Sequence, residues 1–125
     1  MAIEKGEYVR ILYLGRLTQI AKITKILEKD PGYHNMQMYQ IDINTKHDGC
    51  SYWSNKIYRE DIIKHSRNIG DLIKKGDYVN GEYVIWVNKY IIHTAENDYK
   101  IYETDGIESV ITKEQMKHLE YRLEE

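Results

Sequence analysis

Residues 75–81 of this chain read Lys-Gly-Asp-Tyr-Val-Asn-Gly, and residues 5–9 carry a closely similar stretch, Lys-Gly-Glu-Tyr-Val. The dipeptide Asn80-Gly81 is typical of a two-residue type I′ turn, because both central positions of that turn need a positive φ. Folding the chain about this turn sets Tyr78 opposite Tyr83. The stretch therefore predicts a β-hairpin.

The hairpin continues into a series of short apolar or aromatic segments separated by turn residues. These segments are residues 84–87, 90–94, 99–103 and 107–111. Their length and spacing predict a meander of short strands. Residues 84–87 are apolar or aromatic throughout, which is typical of a strand covered on both faces, so we expect Trp86 to lie in the core.

The meander ends at residues 112–115, Thr-Lys-Glu-Gln, which match a helix capping box. In this motif the threonine hydroxyl accepts a hydrogen bond from the fourth residue's amide, and the glutamine side chain reaches back. Met116, Leu119 and Leu123 follow at helical spacing. The sequence therefore predicts a short C-terminal helix with one apolar side.

The first half of the chain reads similarly but with weaker boundaries. Residues 8–14 and 36–43 are predicted strands, and residues 57–64 close this half with a predicted strand at residues 60–64. Residues 20–27 fit either a strand or a short amphipathic helix. We favour the strand.

Each half thus begins with Lys-Gly-acid-Tyr-Val and closes on a similar strand, residues 60–64 in one and 108–112 in the other. We predict a mainly β (α+β) fold with two small SH3-like or half-barrel β units in tandem and a short C-terminal helix. The units would span residues 1–66 and 67–125, or share a single core. Coincidence is the alternative, because the spacing between the two signals differs between the halves.

Composition limits the possible functions. The 125 residues carry a net charge of −2, which argues against coating nucleic acid by bulk electrostatics. Residues 1–66 contain ten Lys or Arg and eight Asp or Glu, whereas residues 67–125 contain eight and twelve. Without a signal peptide or an apolar run of membrane-span length, the protein is expected in the cytoplasm, with no membrane partner.

The aromatic set is unusual, with 12 Tyr, 2 Trp and no Phe. Every aromatic ring therefore carries a polar group that needs water or a hydrogen-bond partner. Such rings suit half-buried surfaces and interfaces, although tyrosines with their hydroxyls at the rim of a core would give the same composition.

Motifs for catalysis or metal binding are missing from the sequence. The five histidines have no zinc-ligand spacing, Cys50 is the single cysteine, and phosphate-binding glycine loops and nucleophile elbows do not occur. We therefore predict a protein that is not an enzyme and that needs no cofactor and no metal.

Two sets of residues are candidates for binding. The first combines basic and aromatic residues of the first half with the aromatic pair beside the turn that follows residue 87: Arg10, Arg16, Lys22, Lys25, Tyr52, Trp53, Trp86 and Tyr90. If the basic groups converge on Tyr52 and Trp53, they would form a groove for a nucleotide. On a regular strand, however, Lys22 and Lys25 would point to opposite faces. The second set is an acidic patch of Glu96, Asp98, Glu103 and Asp105.

Residues 68–81 and 107–115 resemble a pattern of small, uncharacterised phage and prophage proteins of low-GC Gram-positive bacteria, which also open with a segment similar to residues 5–11. The resemblance implies a phage-encoded accessory protein in the host cytoplasm. It transfers no catalytic or binding residues.

Three functions follow as hypotheses. The first is an anti-CRISPR-like host-defence antagonist that binds a defence protein stoichiometrically, its acidic patch imitating nucleic acid. The second is a sponge, oligomeric or with the ligand held between its two units, that sequesters a signalling nucleotide. The third is an SH3-like nucleic-acid-binding module, and a homodimer is compatible with the exposed tyrosines that we expect.

Overall fold

A computed structural model describes residues 2–13, 17–42 and 55–116 of the chain. Within these ranges the chain forms ten β-strands joined by turns. The strands are β1 Tyr8–Tyr13, β2 Leu17–Asp30, β3 Met36–Ile41, β4 Lys56–Tyr58, β5 Ile62–Ser66, β6 Tyr78–Val79, β7 Glu82–Val87, β8 Ile91–Thr94, β9 Asp98–Lys100 and β10 Val110–Ile111.

The strands form two five-stranded antiparallel sheets, ordered β4-β3-β2-β1-β5 and β10-β6-β7-β8-β9. If the strands of the second sheet are numbered one to five along the chain and its order is read from the β9 edge, that order is 4-3-2-1-5, the same as in the first sheet. In both sheets a 3₁₀ turn, Arg59–Asp61 or Thr104–Gly106, precedes the fifth strand. The prediction of two small β units is confirmed, but among the described residues neither sheet closes into a barrel.

The type I′ hairpin is confirmed. Asn80 and Gly81 have φ values of 52° and 81°, and Tyr78 lies opposite Tyr83. The Asn80 side chain also accepts hydrogen bonds from the backbone N–H groups of Glu108 (2.8 Å) and Ser109 (3.1 Å). One side chain therefore fixes both the hairpin and the approach to β10.

The ambiguous segment 20–27 is a strand, as favoured, and lies inside the long β2. Ala21 and Ile23 are buried on the inner face, whereas the neighbouring Lys22 is exposed. Residues 17–22 of β2 pair with β1, and residues 23–30 pair with β3. This pairing with other strands, rather than the local sequence, decides in favour of the strand over the helix.

The strand predicted over residues 60–64 is β5, which begins two residues later, at Ile62, and residues 57–61 contain the end of β4 and the 3₁₀ turn. The backbone N–H of Tyr58 donates to the Asp61 carboxylate at 2.9 Å, and this cap stabilises the turn that separates the two strands. The proposed match of residues 60–64 with 108–112 also shifts by three residues, because Val9 pairs with His65 whereas Val79 pairs with Val110.

The repeated Lys-Gly-acid-Tyr-Val stretch has one backbone structure in both units. Gly6 and Gly76 have φ values of 92° and 95°, a region that glycine enters without strain. Their N–H groups donate to the carbonyls of Ile23 (2.9 Å) and Val84 (3.0 Å), respectively. The stretch therefore has the same structural role in both units.

The acidic residue of each stretch also has the same local role. The Glu7 carboxylate accepts from the Glu4 N–H at 2.5 Å, and the Asp77 carboxylate accepts from the Lys74 N–H at 2.8 Å. The repeat extends one step further than the short stretch, since Ile3 and Ile73 precede it at equal spacing and are both buried.

Each sheet has its own apolar cluster. The first comprises Ile3, Val9, Ile11, Ala21, Ile23, Tyr39, Ile41, Ile57 and Ile62, and the second comprises Ile73, Val79, Val84, Ile92 and Ile101. Within the strands, cluster residues such as Val9 and Ile11 or Ala21 and Ile23 stand at alternate positions, as expected for a sheet with one solvated face.

Polar contacts join the two units. The buried Arg10 guanidinium binds the buried Asp77 carboxylate with N···O distances of 2.7 and 3.1 Å and donates to the Leu72 carbonyl at 3.0 Å. The Thr112 hydroxyl donates to the Thr18 carbonyl at 2.6 Å. The units are therefore joined through their interiors.

The capping box at the end of the meander is confirmed. Thr112 N–H donates to Gln115 Oε1 at 2.9 Å, and Gln115 N–H donates to the Thr112 hydroxyl at 3.2 Å. Residues 113–116 are helical, and the predicted apolar positions Leu119 and Leu123 lie outside the described residues. Among the described residues, no helix has the length and apolar character needed to span a bilayer.

Candidate functional site

Three side chains form a row across the outer face of the second sheet. Trp86 in β7 lies opposite His93 in β8, and His93 lies opposite Asp98 in β9. The indole and imidazole rings stack with centroids 4.7 Å apart and planes 19° apart. His93 Nδ1 contacts Asp98 Oδ1 at 2.5 Å.

A β-bulge in β7 places Trp86 on this face. The register shifts between the pairs Val84–Thr94 and Trp86–His93, so that Ile85 is the extra residue. In a regular strand, Trp86 would share the buried side of Val84. The bulge moves the ring to the outer side, because it adds one residue to the alternation of faces.

The outer face of β7 is exposed, so the prediction of a strand covered on both faces and a core role for Trp86 was wrong. Tyr83 is 46% exposed, Ile85 38% and Trp86 41%. A continuous run of apolar residues did not distinguish a buried strand from an exposed binding face, because the bulge and the uncovered outer face of the sheet are not visible in hydropathy.

Tyr90 extends this face at the turn between β7 and β8. The turn is held by Asn88 Oδ1, which accepts from the N–H groups of Tyr90 and Ile91 at 2.8 Å each. The Tyr90 ring is 63% exposed, with Lys89 Nζ 5.4 Å from its centroid. The two predicted aromatic residues Trp86 and Tyr90 therefore lie on exposed positions of the same unit.

The first unit has the same row with different chemistry. Its register shifts between Ile23–Ile41 and Lys25–Gln40, and Gln40 lies opposite Lys56 in β4. Lys25, Gln40 and Lys56 thus stand at the positions of Trp86, His93 and Asp98.

This bulge also corrects the prediction that Lys22 and Lys25 point to opposite faces. The inserted residue Thr24 brings Lys25 back to the side of Lys22, and both lysines are exposed. Lys22 Nζ lies 5.5 Å from the centroid of Tyr8 on the neighbouring strand. The predicted basic residues on β2 therefore form one basic outer face.

The other predicted basic and aromatic residues do not join this face. Arg10 is 2% exposed, and its guanidinium is bound by Asp77 and the Leu72 carbonyl. We therefore assign Arg10 a structural role. Arg16, Tyr52 and Trp53 lie outside the described residues.

The predicted acidic residues are all exposed and follow the outer strands of the second sheet. Glu96 lies in the turn between β8 and β9, and Asp105 lies in the 3₁₀ turn before β10. Asp98 contacts His93, and Glu103 lies 3.6 Å from Lys100. Asp98 thereby links the predicted acidic patch to the aromatic row.

A hydrogen-bond network around Glu82 was not predicted. Its carboxylate accepts from the hydroxyls of Tyr99 (2.6 Å) and Thr94 (2.7 Å) and from the Asn97 amide (2.8 Å). These bonds stabilise the ionised form and lower the pKa of Glu82, the Tyr99 bond having the largest effect. The same bond raises the pKa of Tyr99.

A second unpredicted cluster lies at the far end of the first unit. The rings of Tyr33 and Tyr58 lie 4.5 Å apart, and their hydroxyls donate to Glu60 and Asp30, respectively. The hydrogen bonds to these carboxylates raise the pKa of both tyrosines. Both hydroxyls are therefore held as internal donors.

Comparison of the chain with protein-family models, with curated proteins and with solved structures finds no match in any of the three. In the described part of the chain, no group of three or more His, Cys, Asp or Glu side chains is placed to hold a metal ion. The outer face of the second sheet, with Tyr83, Ile85, Trp86, Tyr90, His93 and Asp98, is the candidate site, which we call the aromatic face. Of its members, Tyr83, Ile85 and His93 were not predicted as site residues. His93 was missed because a single histidine in a strand carries no motif.

Proposed function

We propose that the protein is a non-catalytic, phage-encoded binding protein that antagonises host defence by stoichiometric binding of a defence protein. The observation that carries the proposal is the exposed aromatic face, on which Trp86 stacks with His93 beside the carboxylate of Asp98. Exposed aromatic clusters mark interaction sites, and Trp and Tyr contribute most to such interfaces.

Charge indicates which partner surface fits this face. Residues 78–111 contain six Asp or Glu, two Lys and no Arg. Such a surface attracts a cationic partner and repels phosphate groups. A basic surface that normally binds nucleic acid meets this requirement, and many defence effectors act on nucleic acid.

The phage context rests on the resemblance of residues 68–81 and 107–115 to phage and prophage proteins. A CRISPR nuclease is a partner that fits the phage context and also has a basic surface for nucleic acid. The aromatic face would cover its nucleic-acid-binding surface and thereby prevent target binding.

The test is phage plating on bacteria that carry a defined panel of defence systems and express the protein. We expect plating to recover on strains whose defence depends on a nucleic-acid-binding effector. The Trp86→Ala variant and the charge reversal of Glu96, Asp98, Glu103 and Asp105 should each abolish the recovery. Ile63→Ala, which removes an apolar side chain 50% exposed on the first unit, serves as the matched control.

Two results would contradict the proposal. One is the absence of recovered plating on the whole panel with the protein well expressed. The other is full recovery with the charge-reversed variant, which would exclude imitation of nucleic acid as the mechanism.

A second candidate function, the nucleic-acid-binding module, is favoured by the basic outer face of the first unit. Lys22 and Lys25 are exposed on one side of β2, with the Tyr8 ring beside Lys22. Lysines of this kind contact phosphates, and the affinity then falls as salt is added. Titration of a fluorescent oligonucleotide at several salt concentrations tests this function, and affinity independent of salt would contradict it.

A further inference from the structure

We propose that the row Trp86, His93 and Asp98 is a binding site for an arginine side chain of the partner. The inference rests on the proposed function, because it names the chemistry of the partner at the aromatic face. It concerns one subsite and makes a prediction that the proposed function does not make, namely a preference for arginine over lysine.

The first step of the argument is geometry. Trp86, His93 and Asp98 stand side by side on three neighbouring strands, and adjacent strands are about 4.8 Å apart. The row is therefore about 10 Å long, with an apolar ring at one end and a carboxylate at the other. An extended arginine side chain laid along it would cover the indole and reach the carboxylate.

The second step is accessibility. Trp86 is 41% exposed, and the side chains of His93 and Asp98 are 34% and 58% exposed. Asp98 Oδ1 contacts His93, and the carboxylate has a second oxygen, Oδ2, that can accept further hydrogen bonds. The contact with His93 also holds Asp98 at the end of the row, so that a ligand does not have to order it.

The third step is the choice between cations. The guanidinium group of arginine is planar, stacks on aromatic rings and donates two parallel hydrogen bonds to a carboxylate, whereas the ammonium group of lysine is a compact and strongly hydrated charge. A row of two parallel rings that ends in a carboxylate therefore matches the guanidinium group better than the ammonium group. A nucleobase could stack on the same rings, but its phosphate would be repelled by the Asp98 carboxylate and by the net negative charge of residues 78–111.

The first unit supplies an internal comparison. Lys25, Gln40 and Lys56 occupy the equivalent positions on the same backbone arrangement. That row has neither an aromatic ring nor a carboxylate, so an arginine site is expected on the second unit alone.

The experiment is calorimetric titration of the full chain with three capped hexapeptides that alternate glycine with arginine, lysine or citrulline. We expect the arginine peptide to bind about fivefold more tightly than the lysine peptide, and the uncharged citrulline peptide not to bind. Asp98→Asn should weaken arginine binding about fivefold, and Trp86→Leu should remove the preference for arginine. Glu108→Gln, which removes one exposed carboxylate of the same unit outside the row, should change the affinity less than about twofold.

Equal affinity for the arginine and lysine peptides would overturn the site. Equal losses of affinity for Asp98→Asn and Glu108→Gln would also overturn it, because they would indicate bulk attraction by net charge. The absence of saturable binding would overturn it as well. Circular dichroism of each variant checks that it is folded.

Phage plating separates this inference from the proposed function. An Asp98→Asn protein that restores plating as well as the unaltered chain would leave the function standing and overturn the site. A protein that prefers arginine peptides as expected but restores plating on no strain would retain the site and overturn the function.

Discussion

The two units share a backbone arrangement down to the position of a β-bulge, yet their outer rows differ completely. One row is Lys25, Gln40 and Lys56, and the other is Trp86, His93 and Asp98. The inner positions differ little, since Ile3 and Ile73, Val9 and Val79, and Ile23 and Val84 are buried pairs of apolar residues. The comparison teaches that the shared core fixes the frame and leaves the outer face open to different partners.

A second difference lies one residue after the repeated Tyr-Val. Arg10 follows it in the first unit and reaches into the second unit, whereas Asn80 follows it in the second unit and stays within its own sheet. Equivalent backbone positions therefore carry an interaction between units in one case and a turn within a unit in the other. We therefore expect substitutions at matched positions of the two units to differ in their cost to stability.

The largest expected effect is at the acidic residue of the repeat. Asp77→Ala should lower the free energy of unfolding by about 3 kcal/mol, because it removes the closer counter-ion of the buried Arg10 and leaves only the partly exposed Glu114 carboxylate, 3.7 Å away. Glu7→Ala should cost about 1–2 kcal/mol, since the partner of Glu7 is the partly exposed His65. Urea denaturation measures both values, and equal losses would contradict a special role for the bond between units.

A double substitution sharpens this result. Arg10→Met in the Asp77→Ala background should recover part of the lost stability, because the buried cation is then removed together with its closest counter-ion. A further loss of several kcal/mol in the double variant would instead show that Arg10 stabilises the fold independently of Asp77.

The next effect concerns the two glycines with positive φ. Gly6→Ala and Gly76→Ala should each cost about 1–2 kcal/mol, because alanine is strained in this region. Gly76→Ala should be the more costly, since its Cβ would lie 3.1 Å from Lys113 Cδ while nothing lies within 4 Å at Gly6. Thermal and urea unfolding of both variants check the order, and no loss at either site would contradict it.

A smaller effect is expected at the outer rows. Trp86→Ala should lower stability by about 0.5–1.5 kcal/mol through loss of the stack with His93, whereas Lys25→Ala should change it by less than about 0.5 kcal/mol. The imidazole proton resonances of His93 should also shift in Trp86→Ala, as the ring current of the indole is removed. Unchanged resonances would contradict the stack in solution.

The smallest effect is the pH dependence at Glu82, whose equivalent in the first unit is Ala21. The pKa of Glu82 is lowered from 4.5 in the folded protein, chiefly by the Tyr99 hydroxyl, so its ionised form stabilises the fold above pH 4.5. This contribution is lost as the pH falls through the lowered pKa. The stability advantage of the unaltered chain over Glu82→Gln should therefore shrink below pH 4.5, and an advantage that grows there would contradict the sign.

The sequence was sufficient for features with a local cause. Asn80-Gly81 predicted the hairpin and its register because the turn type follows from two residues, and the capping box at 112–115 predicted a helix start for the same reason. The tandem arrangement was visible because the repeat has a fixed backbone requirement, a glycine with positive φ followed by an acid that binds the amide three residues earlier.

Features that depend on tertiary pairing were not predictable from the sequence. The bulges at Thr24 and Ile85 appear only in the register between strands, and they decide which side chains share a face. Hydropathy predicts Trp86 in the core, because it does not report the bulge, and charge predicts Arg10 at the surface, because it does not report a partner 67 residues away. Of the candidate site, the sequence identified Trp86, Tyr90 and Asp98, but it gave no reason to bring Trp86 and Asp98 together through His93.

The bond between Arg10 and Asp77 also sets an order of events during synthesis of the chain. The last strand of the first unit ends at Ser66, so the whole sheet can emerge from the ribosome before Asp77 does. Arg10 lies on the face of β1 opposite Val9 and Ile11, and the groups that bind its guanidinium, the Asp77 carboxylate and the Leu72 carbonyl, belong to the second unit. The first core can therefore close while the guanidinium is still in water, and Arg10 becomes buried only when the second hairpin has emerged and packs against β1 with the counter-ion in place.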